Sequence, residues 1–152
     1  MIIVCASLVQ NPMNLGGLCR TCEVMGVQEL VLPNLTLADS WAFRKIAASG
    51  QRWQQMSECD PARLTDWLPQ QTNYRRVALS VTGTQQLTDY QFHSRTVLVL
   101  GRELTGVPEA VLKHCEDRVM IPQYGQVESL NVAVAGAIAL YEYRRQHPLK
   151  TQ

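Results

Sequence analysis

Charge of either sign is scarce in this sequence. Fourteen lysines and arginines face thirteen aspartates and glutamates, for a net charge of +1 and a charged fraction of 18%. So balanced a chain has no overall electrostatic footprint for nucleic acid. An RNA partner would have to be held by local basic patches or by a surface built from two subunits. No apolar run reaches the length of a membrane span. The opening Met1-Ile2-Ile3-Val4 lacks the basic region of a signal peptide, so the expected location is cytoplasmic. There is no internal repeat, low-complexity tract or linker, and 152 residues predict one domain around one core, with no separate RNA-binding domain. Paired cysteines are missing too. The five cysteines are an odd number, against a disulfide framework. Cys19 and Cys22 form a C-x-x-C, but no second pair accompanies it and His93, His114 and His147 lie far off. Leu15, Leu18, Cys19, Cys22 and Met25 fall on one helical stripe, so two small core residues fit better than a zinc or thiol-redox site.

What is present alternates between strand and helix signals. Residues 2–6 are apolar and β-branched and predict a strand, broken at Asn11-Pro12. Asn14 is placed to cap a helix over residues 15–25, which Gly26 stops. Strands are expected over residues 29–32, 52–56, 76–81, 96–100 and 118–121. Helices are expected over residues 38–48, 60–68 and 108–114. Residues 129–145 predict a last helix, rich in Ala, Val, Leu and Ile and almost free of charge until Glu142, hence buried on nearly every side. The tail from His147 is expected to fray. Such alternation means an α/β fold, a mainly parallel sheet with helices on both faces. Ligands of these sheets sit beyond the carboxyl ends of the strands. The loops after Val81, Leu100 and Ile121 are therefore the places to search.

Three clusters stand at strand–helix junctions. In Asn14-Leu-Gly-Gly-Leu-Cys-Arg20 the two polar ends are six residues apart, so on one helix they point about 120° away from each other. They share a face only if Asn14 lies outside the helix. Gly16 and Gly17 weaken the first turn and would permit close approach of a backbone or a ligand. Gly101-Arg102-Glu103-Leu104-Thr105-Gly106 follows a Val-Leu-Val-Leu strand. It has the spacing of neither a P-loop nor a dinucleotide fingerprint, and it suits either a tight turn or a small polar cofactor against the backbone. Ile121-Pro122 leads to Ser129-Leu130-Asn131, where Ser129 could simply cap the last helix.

Taken together and in this order, the clusters resemble the three motifs of the SpoU (TrmH-like) class of the SPOUT superfamily. These are knotted, S-adenosylmethionine-dependent RNA 2′-O-ribose methyltransferases. The resemblance covers essentially the whole chain, and the stretch NLGGLCRTCEVMG is most similar to the group that methylates guanosine 18 of tRNA. The resemblance implies a deep C-terminal trefoil knot, with residues 123–128 and the final helix tucked through a loop. It implies Arg20 as the catalytic arginine on the target phosphate and ribose hydroxyl, acting as a perturbed base or as a charge stabiliser. Asn14 would position Arg20 and the nucleotide, Glu103 would orient polar groups, and Ser129 and Asn131 would hold the reaction centre. Leu79, Gly101, Ile121, Ser129 and Leu130 match positions lining the S-adenosylmethionine pocket, and no metal is implied. It further implies a homodimer through the knot region, with the active site shared between copies. Arg102 stands where a small residue is common and is a candidate RNA contact. Other basic residues on offer are Arg44-Lys45, Arg52, Arg75-Arg76 and Arg144-Arg145. The expected substrate is tRNA, at guanosine 18. The alternatives are the wobble position 34, suggested by the short chain, or a catalytically silent RNA- or partner-binding module.

Overall fold

The computed structural model describes residues 1–150. Seven strands form one sheet: β1 (Ile2–Cys5), β2 (Glu29–Leu32), β3 (Met56–Glu58), β4 (Arg75–Leu79), β5 (Gln85–Gln86), β6 (Thr96–Val99) and β7 (Asp117–Met120). Their order is β3-β2-β1-β6-β4-β7-β5, and every neighbouring pair is parallel. The helices are α1 (Pro12–Val24), α2 (Trp41–Ala47), α3 (Leu64–Trp67), α4 (Glu109–Leu112) and α5 (Val132–Gln146).

The central strands are apolar on both faces because both faces are covered. Successive side chains alternate sides. Ile2, Val4, Leu98 and Leu100 enter one core with Leu18, Phe43 and Leu140 from α1, α2 and α5. Ile3, Cys5, Val97 and Val99 enter the other with Leu64 and Leu112 from α3 and α4. Gly16 sets the spacing of the first layer. A Cβ there would lie 2.4 Å from the Phe43 carbonyl oxygen, so the close approach is to another backbone, not to a ligand.

Several boundaries differ from expectation, each for a local reason. α1 begins at Pro12, and Asn11 is its cap, accepting from the Met13 N–H at 2.9 Å. Asn14 therefore lies inside the helix. The Asn11-Pro12 pair, read as a breaker, is a cap followed by proline at the first helical position. Ser40 caps a shorter α2, its hydroxyl accepting from Phe43. Residues 52–56 are not a strand. A 3-10 turn at Gly50–Arg52 precedes β3, which starts at Met56 because it pairs with Leu30–Leu32. Residues 60–68 are a 3-10 turn and one turn of α-helix rather than a full helix. β5, Gln85–Gln86, lies where no strand was expected. α5 starts at Val132, with Asn131 and not Ser129 as cap.

α5 is also not buried on nearly every side. Val134, Ile138 and Tyr141 are exposed, the last by 65%, because only the face toward α1 and the sheet is covered. His147 does not fray. Its backbone N–H donates to the Tyr143 carbonyl and its Nε2 lies 2.9 Å from the Phe92 carbonyl oxygen. The last residues of the expected frayed tail, 151 and 152, lie outside the described residues.

Candidate active site

Three chain crossings meet at the carboxyl ends of β4, β6 and β7. They enclose a cavity of about 340 Å³. Leu79, Leu100, Ile121 and Leu130 give it apolar walls, and Ser80, Thr82, Arg102, Glu103 and Ser129 give it polar ones. The loop between β6 and α4 is closed on itself. Arg102 and Gly106 exchange both backbone hydrogen bonds, at 2.9 and 3.1 Å, leaving Glu103, Leu104 and Thr105 at the tip. Gly101 makes that closure possible, since a Cβ there would stand 2.5 Å from the Gly106 carbonyl carbon and 2.7 Å from the Val107 nitrogen.

At the rim, residues from all three clusters form one hydrogen-bond chain. The Asn11 N–H donates to Glu103 Oε1 at 3.0 Å, and Asn14 Nδ2 reaches the same oxygen at a long 3.5 Å. Asn131 Nδ2 donates to Asn14 Oδ1 at 2.9 Å. Asn131 Oδ1 accepts from the Ala133 and Val134 N–H groups at 2.9 and 3.3 Å, opening α5. The polarity runs one way. A carboxylate accepts only, so Asn14 must present its amide NH₂ to Glu103 and its oxygen to Asn131. The free N–H groups of α5 accept nothing, so Asn131 must present its oxygen to them. The ends of the chain thus fix the orientation of both amides between them.

Ser129 lines the cavity, but its hydroxyl has no hydrogen-bond partner among the described residues. Arg20 is not brought to this cavity. It sits on α1 about 9 Å beyond Asn14 and about 120° around the axis, exposed and without a side-chain hydrogen bond among the described residues. Sequence reasoning missed Asn11, whose signal was the cap-and-proline pair, and it missed Ser80 and Thr82, which carry no signal beyond their place after a strand.

The basic residues sort into engaged and free. Arg75 pairs with Asp117 at 2.7 Å and Arg76 pairs with Glu116. Arg145 pairs with Glu142, and Arg144 donates to the Met25, Gly26 and His147 carbonyls. The Arg75 hydrogen bonds hold Asp117 below the usual carboxylate value. These four are thus held by partners within the chain. Arg44 pairs with exposed Asp39. Of the basic residues named from the sequence, Arg20, Lys45, Arg52 and Arg102 have side chains with neither a carboxylate nor a carbonyl partner among the described residues.

Cys19 and Cys22 are buried under α1. Desolvation pushes the Cys19 thiol up to about 11 and raises Cys22 as well, so neither is a ready thiolate. Among the described residues no cluster of three His, Cys, Asp or Glu side chains could hold a metal ion.

Residues 1–141 match the model described as the SpoU rRNA Methylase family. The chain belongs to that family. A mouse relative, the tRNA (guanosine(18)-2′-O)-methyltransferase TARBP1, is 38% identical over 151 residues, 97% of this chain. The chain spans only 10% of that protein's length. A tRNA (cytidine(34)-2′-O)-methyltransferase of Beijerinckia indica is 36% identical over 138 residues, covering 89% of this chain and 85% of the relative. A solved RNA 2′-O ribose methyltransferase superposes with a TM-score of 0.86 at 26% identity, over 98% of this chain and 57% of that one. The parallel sheet between helical layers expected from the strand–helix alternation is the fold found.

Proposed function

We propose that this chain transfers a methyl group from S-adenosylmethionine to a ribose 2′-hydroxyl of tRNA, with guanosine 18 as the target. The Glu103–Asn14–Asn131 hydrogen-bond chain carries this reading. It joins the three motif clusters at the rim of one cavity, at the strand ends where a sheet of this kind takes its ligand. The mouse guanosine-18 relative supports the position. The wobble position is the second reading, because the relative acting at cytidine 34 matches over most of its own length.

The cavity suits the cofactor. Its walls offer apolar side chains beside the closed Arg102–Gly106 loop, which suits an adenosine and a methionine chain. Bound there, S-adenosylmethionine would supply an electrophilic methyl group. Leu79, Gly101, Ile121, Ser129 and Leu130 would hold it. Glu103, Asn14 and Asn131 keep the loop after β6 and the start of α5 in fixed register, which positions the reacting groups. Arg20 contacts the target phosphate and stabilises charge on the ribose oxygen. A guanidinium keeps its proton, which favours this role over that of a base. Arg102 at the cavity edge is a further RNA contact.

Arg20 lies away from its own chain's cavity, so a second copy must bring it to the site. The surface for that copy is at hand. Met13 and Val24 on α1, with Val134, Ile138 and Tyr141 on α5, leave apolar side chains in solvent on the two helices that pack together. We read this as the homodimer face, and the return of residues 121–131 across the strand ends as the threaded segment of a trefoil knot, a rare exception to unthreaded connections. Among the described residues no helix is long and apolar enough to cross a membrane. A tRNA substrate favours a cytoplasmic location.

Asn131→Asp should separate cap from network. Aspartate caps a helix as well as asparagine, so the melting temperature should stay near wild type. Its second oxygen, however, would face Asn14 Oδ1 with no proton between them. Methyl transfer should fall about tenfold, the cost of one unmet polar contact. Equal losses of stability and rate would mean that Asn131 is only a cap.

The deciding experiment is incorporation of tritiated methyl groups into unmodified bulk tRNA, with the product nucleoside mapped by mass spectrometry. A 2′-O-methylguanosine in the D-loop supports position 18. A 2′-O-methylated wobble nucleoside overturns the position and keeps the chemistry. Cofactor binding without transfer to any tRNA, or no binding at all, would sink the tRNA reading, the latter in favour of a silent module.

A further inference from the structure

Two of the three tryptophans stand in solvent, Trp41 by 73% and Trp53 by 77%. Tryptophan is ordinarily well covered. On α2, Phe43, Ile46 and Ala47 face inward, so at 100° per residue Trp41, Arg44 and Lys45 share the outward face. Lys45 Nζ stands 4.6 Å from the centre of the Trp41 ring. After α2 the chain turns through Ala48 and Ser49, both left-handed at φ 50° and 71°, conformations that side chains rarely adopt. That turn seats Gly50 on α1, where a Cβ would lie 3.4 Å from Arg20 Cα. Arg52 and Trp53 follow at once.

α2 and this turn run beside α1 in step. Gly16 meets Phe43, Gly17 meets Ile46, and Arg20 meets Gly50. The strip thus runs from Trp41 and Lys45, which flank the Phe43 contact with Gly16, to Arg52 and Trp53, which follow the Gly50 contact with Arg20. Three basic residues without a carboxylate partner among the described residues lie here: Arg20, Lys45 and Arg52.

We infer that this strip binds an unpaired stretch of the RNA substrate, an inference that rests on the tRNA reading above. Bases stack on Trp41 and Trp53, and Lys45 and Arg52 take phosphates. Exposed indoles beside cations with no carboxylate partner, one of them already stacked on the Trp41 ring, are what single-stranded RNA requires. A duplex hides its base faces and would use the cations alone. Lysine is depleted at the core of a protein interface, and here a lysine lies on the Trp41 ring.

The test measures binding of a labelled single-stranded oligouridine, a blunt RNA duplex and unmodified tRNA, with KM for tRNA in parallel. Trp41→Ala and Trp53→Ala should each weaken oligouridine and tRNA binding about tenfold, with little change on the duplex. Trp→Phe at either site should retain most of the affinity, and cofactor affinity and melting temperature should not move. Alanine variants that bind oligouridine like wild type overturn the inference, as do phenylalanine variants that lose as much as alanine. So does a shift to monomer in sedimentation that accounts for the loss, since the strip would then be a subunit interface. A wild type that binds oligouridine through these tryptophans but methylates no tRNA overturns the tRNA reading and leaves the strip standing. Unchanged KM in active alanine variants overturns the strip alone.

Discussion

Arg20→Ala should cut methyl transfer about a thousandfold while leaving S-adenosylmethionine affinity within a few-fold. The side chain is exposed at the end of α1's contact with α2 and has no hydrogen-bond partner among the described residues. Its removal leaves no buried group unpaired, so folding should change by no more than about 0.5 kcal/mol. A large loss of rate must then come from the reaction itself. The cofactor cavity does not include Arg20, which is why calorimetry with S-adenosylmethionine should barely register the change. Single-turnover rates at saturating tRNA are the readout. Arg20→Lys refines it. Lysine keeps the charge but not the planar fork that grips a phosphate from two nitrogens, so partial retention would assign the effect to charge and near-complete loss to geometry. Unchanged turnover in the alanine variant would remove Arg20 from the mechanism.

The interior strands were legible because their neighbours left them one composition. β1, β2 and β6 are buried on both faces, and runs such as Ile2-Ile3-Val4 allow little else. β5 was not legible. Gln85 and Gln86 carry no alternation, and only the edge of β7 makes them a strand. Caps were half legible. The starts of α1, α2 and α5 each offered more than one polar residue, and the folded chain chose between them. Asn131 prevails over Ser129 because it alone reaches both α5 and Asn14, 117 residues away in sequence. The same holds for charge. Arg75-Arg76 and Arg144-Arg145 are basic pairs on offer in the sequence, and folding sets them against carboxylates and carbonyls. The candidate site was visible as three motif clusters at strand–helix junctions. The hydrogen bonds that join them were not, nor was the separation of Arg20 from the cavity, which depends on where α1 begins.

Gly101→Val should abolish cofactor binding to the extent that calorimetry detects, a loss of about a hundredfold or more for a wall rebuilt by overpacking. From sequence, the glycine leaves room for a cofactor against the backbone. The structure gives a different cause. Any Cβ at Gly101 collides with the Gly106–Val107 backbone, so the closed loop that carries Glu103 must open before a cofactor is considered. Gly101→Ala should therefore be nearly as damaging as valine, whereas a purely cofactor-facing position would tolerate the smaller side chain better. Melting temperatures must accompany both, since a globally unfolded variant would tell nothing of the loop. The folded variant then tests the shared site. Arg20→Ala has an intact cavity and Gly101→Val an intact Arg20. If Arg20 serves the cavity of the other copy, each mixed dimer contains one complete site, and random mixing of the two inactive proteins should restore about a quarter of wild-type activity. If Arg20 serves its own chain, no mixed dimer contains a complete site and activity stays at background. The outcome separates an active site built within one fold from one that exists only where two copies meet.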